Sequence, residues 1–396
     1  MTSRRRGGLF FLIGVSFAVS AYFSASKLGY LDRLTARYFP QLRSELLSSG
    51  DFPAGVSAPV GDIASVPLRS TLIGFTPRGS AAALLLATGG ANPKGMDSPT
   101  GRGAEGIFKA NYSLDAKAVV FAREEDLRKA LQVGPEKGGV DMAAISVDSL
   151  ARWLPSLRDA APRVELLLGR SRGQEALAAV NVARLQELKG KRIAAYVPSP
   201  SYYFALWCFS RAGLSLKDVV WVDLPSSQEA GAALREGRAD AAVGLLGDVE
   251  LAARDRGGSV LATSADAPHL IATVLVTRGE FAARYPDAVR RVLRGLLDAS
   301  NAVLKDSGPA ARLLGDVAPY LGDPAEAIRM APPANLKDNL AFFGVSGEAP
   351  VTYDELFRSS SELFEKMGKL PSVPAAEDTL DLGALKYVAQ SRGPRE

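Results

Sequence analysis

The sequence predicts an α/β protein in which helices cover sheets of parallel strands. The main observation is the segment 188–240, whose apolar runs, breakers and helical stretches alternate in a regular order. The segment consists of a strand at 192–197, a helix at 202–212, a strand at 219–224 and a helix at 228–236. A second observation is that 68–88 repeats the order of strand, turn and helix. Strands that are joined through helices run parallel, and the helices pack on the faces of their sheet.

The turn after the strand at 192–197 is a predicted ligand surface. Ser199 and Ser201 lie between this strand and the following helix. A helix N-terminus offers free N–H groups and a partial positive charge, and open α/β sheets bind ligands beyond the carboxyl ends of their strands. Serines in this position also cap helices, which alone would explain them. The residues by themselves leave both interpretations open.

The ordered motifs of this segment resemble a known family. The chain reads LKGKRIA, then a serine-rich turn, then GLSLKDV, DLP and ALREGRADAAV. This order is similar to that of the periplasmic substrate-binding proteins of ABC importers in the nitrate/sulfonate/taurine group, which is the NMT1/THI5-like group. Weaker similarity extends over about 68–390. The resemblance implies a type II periplasmic-binding-protein fold, with two lobes joined by two crossing strands and a ligand between them.

The resemblance also implies a division of the chain. Crossing strands are expected near 165–176 and 268–278. They would separate lobe 1, formed by 67–172 plus 272–396, from lobe 2, formed by 173–271. Hinges of this kind let two lobes close on a ligand.

The N-terminus predicts export or anchoring. Three arginines at 4–6 precede the uncharged run 7–26, which has about the length of a bilayer span. We expect a signal peptide or, in preference, an uncleaved membrane helix at 1–27, followed by a helical stalk and linker at 28–66. The folded body would then lie in the periplasm, tethered to the inner membrane through 7–26, or released if the segment is cleaved.

Composition excludes several classes of function. The chain of 396 residues carries 47 basic and 43 acidic residues, which is too balanced to indicate a nucleic-acid partner. It has one cysteine, Cys208, and one histidine, His269, which excludes an internal disulfide and argues against zinc, iron or copper. No Walker loop, nucleophile elbow or HExxH motif is present. We therefore predict a monomer that is not an enzyme, with no catalytic residue, no cofactor and no metal.

The candidate ligand-binding residues follow the predicted strands or belong to the crossing strands. Ser171 and Glu175 reproduce a pattern of the family at the first crossing. The full set is Thr76, Arg78, Ser80, Ser146, Asp148, Ser171, Arg172, Glu175, Ser199, Ser201, Tyr202, Leu245 and His269. Arginines suit anions and carboxylates suit ammonium groups, so we expect a small anionic or zwitterionic organic solute of the sulfonate, nitrate or taurine kind. The structural alternatives are a solvent-facing arginine, helix caps, a core tyrosine and a hydrogen-bonded histidine.

The family resemblance implies that the protein delivers this solute to the permease subunits of an ABC importer. Residues 244–247, Gly-Leu-Leu-Gly, depart from the aromatic residue and proline that the family carries after this strand. That departure keeps a membrane-tethered sensor or scaffold open as an alternative. An enzyme on the same fold, resembling pyrimidine-precursor synthases, is a further alternative, and it would have to use His269.

Overall fold

The computed structural model describes residues 66–93, 106–197, 199–366, 368 and 370–392. The predicted α/β class is confirmed, since the described chain forms two sheets with helices packed on them. The strands are β1 (Thr71–Phe75), β2 (Ala91–Pro93), β3 (Ala116–Val120), β4 (Met142–Ser146), β5 (Arg163–Arg170), β6 (Glu175–Ala179), β7 (Arg192–Ala195), β8 (Val220–Asp223), β9 (Ala241–Leu245), β10 (Ser259–Thr263) and β11 (Ala272–Thr277).

The helices connect these strands and form the C-terminal part of the body. They are α1 (Ala82–Thr88), α2 (Ile107–Tyr112), α3 (Glu124–Val133), α4 (Val147–Trp153), α5 (Pro200–Ala212), α6 (Ser227–Arg235), α7 (Leu246–Arg254), α8 (Gly279–Arg284), α9 (Pro286–Lys305), α10 (Gly308–Val317), α11 (Pro324–Met330), α12 (Leu336–Phe342), α13 (Tyr353–Lys366) and α14 (Gly383–Arg392). The unit predicted at 192–236 therefore exists as β7, α5, β8 and α6, with boundaries shifted by one or two residues.

The first sheet has six strands in the order β2-β3-β1-β4-β11-β5. The first four strands in this order, β2, β3, β1 and β4, run parallel, and β11 runs antiparallel to both β4 and β5. Every residue of β4 is buried, as expected for a central strand that is covered on both faces. Helices α1, α9 and α13 contribute large apolar side chains to the same core.

The second sheet has five strands in the order β10-β6-β9-β7-β8. Strands β7, β8 and β9 run parallel, while β6 is antiparallel to both β9 and β10. Two apolar clusters cover its two faces, one built around α5 and the other around α6 and α7.

The chain crosses between the sheets at two adjacent places. It passes from β5 to β6 between Arg170 and Glu175, and it returns from β10 to β11. The crossings are joined by hydrogen bonds, because the Ser171 N–H donates to the carbonyl of Ile271 at 2.9 Å and the Gly173 N–H donates to Ser264 Oγ at 2.9 Å. The two crossings thus form one connected region between the sheets.

Helix α13 adds a packing connection that the sequence did not predict. Tyr353 belongs to the core of the first sheet, whereas Phe364 belongs to the core of the second. The Ser360 hydroxyl donates to the hydroxyl of Tyr203, on α5, at 3.0 Å. The two sheets are therefore joined through the C-terminal part of the chain as well as through the crossings.

The predicted membrane segment at 7–26 lies outside the described residues, and so does the stalk at 28–66 apart from Val66. Among the helices that the structure describes, none combines the length and apolar character needed to span a bilayer.

Candidate ligand-binding cleft

The carboxyl ends of the parallel strands of both sheets face a common cleft. The turns after β1 and β3 line it on one side, and the turns after β7, β8 and β9 line it on the other. The outer part of the cleft has a volume of about 330 Å³. A smaller inner cavity of about 20 Å³, enough for about one water molecule, lies between the turn after β1, the end of β4 and the first crossing. Both spaces lie where open α/β sheets bind ligands.

Arg78 spans the boundary between the two spaces and is held by two carboxylates. Its Nη1 lies 2.7 Å from Oε1 of Glu175, the first residue of β6. Its Nη2 lies 3.0 Å from Oε1 of Glu124, the first residue of α3. The Arg78 side chain is 16% exposed, and both carboxylates are more deeply buried. This triad joins the first sheet to the first strand of the second.

The remaining oxygens of the triad are also paired. Oε2 of Glu124 accepts a hydrogen bond from Ser149 Oγ at 3.1 Å, and Oε2 of Glu175 accepts one from Ser171 Oγ. Burial alone would lower the pKa of Arg78, but the charges of Glu124 and Glu175 outweigh it and raise this pKa above its ordinary value. Arg78 is thus fully charged and already neutralised by its own protein.

Asp148 and Ser146 lie behind the triad at the end of β4. Burial, together with the charge of Glu124, raises the pKa of Asp148 to about 7. Oδ1 of Asp148 and Oγ of Ser146 are buried and have no hydrogen-bond partner within the described part of the chain. Ser146 lines the inner cavity, and its hydroxyl slightly opposes the rise in the pKa of Asp148.

The outer cleft holds one further carboxylate, Asp248, in the first turn of α7. Its Oδ2 is buried without a hydrogen-bond partner among the described residues, and the same holds for the hydroxyl of Tyr196. Arg123 also lines this space, but Asp126 binds it through two hydrogen bonds of 2.8 and 3.0 Å. One carboxylate oxygen and one hydroxyl beside the outer cleft are therefore buried without a hydrogen bond of normal geometry.

The structure brings most of the predicted candidates to this cleft. Thr76 and Arg78 line both spaces, Ser80, Ser146, Ser171 and Glu175 line the inner cavity, and Ser199, Ser201 and Leu245 line the outer cleft. Asp148 lies directly behind Glu124, close enough for that charge to shift its pKa.

Four predicted candidates line neither space: Asp148, which lies behind Glu124, and Arg172, Tyr202 and His269. Arg172 is exposed, and Tyr202 is buried with its ring packed edge-on against Trp221 at 4.9 Å. His269 is partly buried; its burial and the positive charges of Arg170 and Arg172 lower its pKa. The core interpretation of Tyr202 is the one that its surroundings support.

Ser199 caps α5. Its Oγ accepts a hydrogen bond from the Tyr202 N–H at 3.2 Å and donates one to the carbonyl of Tyr196 at 2.6 Å. The capping interpretation is therefore confirmed. These bonds occupy the Ser199 hydroxyl, whereas the Ser201 hydroxyl takes no part in capping α5, although both serines are buried.

The replacement Ser199→Ala should cost about 1 kcal/mol of folding free energy, because the Tyr202 N–H then loses its capping partner. The matched replacement Ser201→Ala removes a hydroxyl from the same turn without removing the cap. Urea unfolding of the two variants checks this prediction. Equal losses in both variants would show that the cap contributes nothing specific.

Sequence reasoning missed Glu124 and Tyr196 as cleft residues and left Asp248 out of the candidate set. A signal for Glu124 existed, since it comes shortly after β3, at the edge of the sheet where Ser146 ends the parallel strand β4. Tyr196 directly follows β7, at the corresponding edge of the second sheet. Ser264, which accepts from the Gly173 N–H and contacts Ser171 at 2.7 Å, carries no local signal because its role depends on the distant first crossing.

Comparison with known proteins gives a family match within this region. Residues 172–310 match the family described as NMT1/THI5 like. The predicted resemblance to this group is confirmed over that segment. The NMT1/THI5-like segment contains the whole second sheet, strand β11 and helix α9, so Glu175 and Asp248 both lie inside it. No curated protein sequence matches the chain.

Solved structures share the fold across most of the chain. The alkanesulfonate-binding protein SsuA from Xanthomonas axonopodis pv. citri has a TM-score of 0.60 at 16% identity, covering 80% of this chain and 99% of its own. The aliphatic sulphonate-binding SsuA from Escherichia coli has a TM-score of 0.60 at 16% identity, with coverages of 79% and 92%. The nitrate-binding protein NrtA from Synechocystis has a TM-score of 0.61 at 13% identity, with coverages of 83% and 90%. Similarity at this identity shows the two-sheet periplasmic-binding-protein fold.

Proposed function

We propose that the protein is an extracytoplasmic solute-binding protein, which holds a small organic solute in the cleft and delivers it to the permease subunits of an ABC importer. The observation that carries the proposal is the cleft itself. It lies at the carboxyl ends of strands from two sheets that adjacent crossings connect, and its lining contains buried polar groups without partners. The fold shared with the sulfonate-binding and nitrate-binding proteins supports the same function.

The proposed solute is anionic or zwitterionic, as the sequence suggested. The hydroxyls of Thr76 and Ser201 and the N-terminus of α5 can donate to an anionic group at the cleft wall. The pairing of Arg78 with two glutamates favours a zwitterionic solute over an anionic one, because these glutamates already balance the positive charge of Arg78.

The proposed setting is a monomer in the periplasm, with the segment 7–26 as a tether to the inner membrane. The proposed lobe 1 consists of 67–172 and 272–396, and the proposed lobe 2 consists of 173–271. The chain passes between the sheets from β5 to β6 and from β10 to β11, which supports this division. A tether would raise the effective concentration of the binding protein beside its importer.

The alternatives receive less support. An enzyme would need His269 in the cleft, but this residue is not part of the lining, and burial raises the pKa of the Cys208 thiol to about 12. A scaffold without a ligand would be favoured by a cleft filled with its own side chains. The triad fills part of the inner space, while the outer cleft is open, with a mostly apolar lining that includes a few polar groups.

A ligand screen tests the proposed function. We expect a sulfonate, an amino acid or a related zwitterion to raise the melting temperature of the full-length protein. A ligand at about 100 times its dissociation constant adds about 2.7 kcal/mol to the free energy of unfolding. Leu245→Trp, which places a large ring at the wall of the outer cleft, is the control and should lose the shift. The absence of any shift across a panel that includes nitrate would contradict the proposal, as would an equal shift in the control variant.

A further inference from the structure

The charges that line the cleft are unbalanced. Within the described residues, the charged side chains of the lining are Arg78, Arg123, Glu124, Glu175 and Asp248. Arg78 is shared by Glu124 and Glu175, and Arg123 is bound by Asp126 outside the lining. Both guanidinium groups are therefore neutralised, and the lining carries an excess of negative charge. Behind the lining, Asp148 adds one acidic group and Arg152 adds one basic group.

Asp248 is the carboxylate of this lining that has the fewest partners in the protein. The oxygens of Glu124 and Glu175 are all engaged by Arg78, Ser149 and Ser171, whereas Oδ2 of Asp248 has no hydrogen-bond partner of normal geometry among the described residues. Burial raises the pKa of Asp248, and the nearby Ser227 hydroxyl only partly offsets that rise. A carboxylate in the first turn of a helix is often explained by the helix dipole. The dipole does not explain a buried oxygen that lacks a donor, since leaving such an oxygen unpaired is unfavourable unless a bound molecule supplies the donor.

Tyr320 lies on the opposite side of the outer cleft and complements Asp248. It is 46% exposed and lines the same space. Burial raises the pKa of Tyr320, the positive charge of Arg78 opposes this rise, and the negative charge of Asp248 adds to it, so the Tyr320 hydroxyl lies within reach of both charges. An aromatic face opposite a carboxylate is a favourable environment for a cationic group.

We propose that the solute carries a protonated amine, that Asp248 binds this amine beside Tyr320, and that a solute with only negative charge does not bind. This inference rests on the proposed function and restricts the solute to zwitterionic or cationic compounds. Asp248 is then the residue that sets specificity. An amine would supply the donor that Oδ2 lacks and would balance the excess charge of the lining.

A purely anionic solute would meet unfavourable conditions in the same place. It would bring a second negative group into a lining whose cations are already paired, and like charges in a partly buried site repel each other. Displacing Glu124 or Glu175 from Arg78 would free a cation, but it would leave a buried carboxylate without its partner, which is strongly destabilising.

Matched pairs of solutes test this inference on the full-length wild-type protein. The pairs are taurine with ethanesulfonate, β-alanine with propanoate, and butylamine with butanol, each titrated by calorimetry. We expect binding of at least one amine to be tenfold or more tighter than binding of its partner without the amine. Binding of ethanesulfonate or propanoate that equals or exceeds that of the amine would overturn the inference while leaving the proposed function standing. Failure of all six to bind, together with an empty wider screen, would remove the proposed function and the inference with it.

The variant Asp248→Asn tests the residue itself. It keeps the shape of the side chain and removes its charge, so the best amine should bind at least tenfold more weakly. The matched control is Glu250→Gln, which removes one negative charge from the same helix at a residue that pairs with Arg254 outside the cleft lining. An equal loss in both variants would reduce the effect to general electrostatics and overturn the assignment to Asp248, as would an unchanged affinity in Asp248→Asn.

Discussion

Replacement of Arg78 by methionine is expected to destabilise the folded protein by about 3–5 kcal/mol, the usual result when one partner of a buried ion pair is removed. Methionine preserves much of the volume of the side chain but leaves Glu124 and Glu175 without their shared cation. Burial already raises the pKa of Glu124 above its ordinary value even in the presence of Arg78. Without Arg78 this pKa rises further, so the loss should be greater at pH 8 than at pH 5. Urea unfolding at the two pH values measures the effect.

Two further variants separate this effect from a general loss of surface charge. Arg123→Gln breaks an arginine–carboxylate pair beside the same cleft, but that side chain is 53% exposed, and exposed pairs contribute little to stability. The double variant Arg78→Met/Glu175→Gln removes one of the two uncompensated charges and should recover part of the stability. The role of the triad would be refuted by a loss in Arg78→Met no larger than that in Arg123→Gln.

The second large effect concerns Glu165, on strand β5 at the edge of the first sheet. The residue is 1% exposed, and neither of its carboxylate oxygens has a hydrogen-bond partner within the described chain. Burial, with a smaller contribution from the charge of Asp381, raises the pKa of Glu165 to about 9. The folded protein therefore keeps a proton on this group at pH values where the unfolded chain has lost it.

The sign of the resulting pH dependence follows from proton binding. Between the ordinary pKa of glutamate, 4.5, and about 9, the folded state binds more protons at this group than the unfolded state does, so rising pH destabilises the fold. The loss is about 1.4 kcal/mol per pH unit, or on the order of 4 kcal/mol between pH 5 and pH 8. Glu165→Gln lacks this titration, so its stability relative to the wild type should increase by about that amount over the same interval.

Urea unfolding of the wild type and Glu165→Gln at pH 5, 6.5 and 8 measures the difference. The buried amide of glutamine has a cost of its own, but this cost is the same at every pH and does not affect the slope. Glu136→Gln, on an 86% exposed side chain, should change stability by less than about 0.5 kcal/mol throughout. A difference between Glu165→Gln and the wild type that stays constant from pH 5 to pH 8 would contradict the prediction.

Local patterns in the sequence were sufficient for the elements but not for every boundary. The strand predicted from residue 68 begins only at Thr71, because Leu68 is apolar yet 70% exposed and makes no pairing with a neighbouring strand. Helix α5 begins at Pro200 rather than at 202, since the missing N–H of proline has no cost in the first turn of a helix. Backbone hydrogen bonding sets both boundaries, and the pattern of hydrophobic residues does not reveal it.

The candidate site was predictable wherever it followed from strand ends, and unpredictable where it depends on distant partners. Ser171 and Arg172 are adjacent in the bend between β5 and β6, yet Ser171 is buried and lines the inner cavity whereas Arg172 is exposed. The pairing of Arg78 with Glu175 joins residues 97 positions apart, which no local pattern indicates. The charge of the cleft could therefore not be read from the presence of arginine alone.

The contact between Ser360 and Tyr203 restricts how the two sheets can move. The crossings at Ser171 and Ser264 fix one place where the halves of the molecule meet, and α13 fixes a second. A rigid rotation that preserves both contacts must have its axis along the line through them. Opening of the cleft would then have a single degree of freedom, which is rotation about this axis. Twisting of one half against the other would require α13 to release Tyr203.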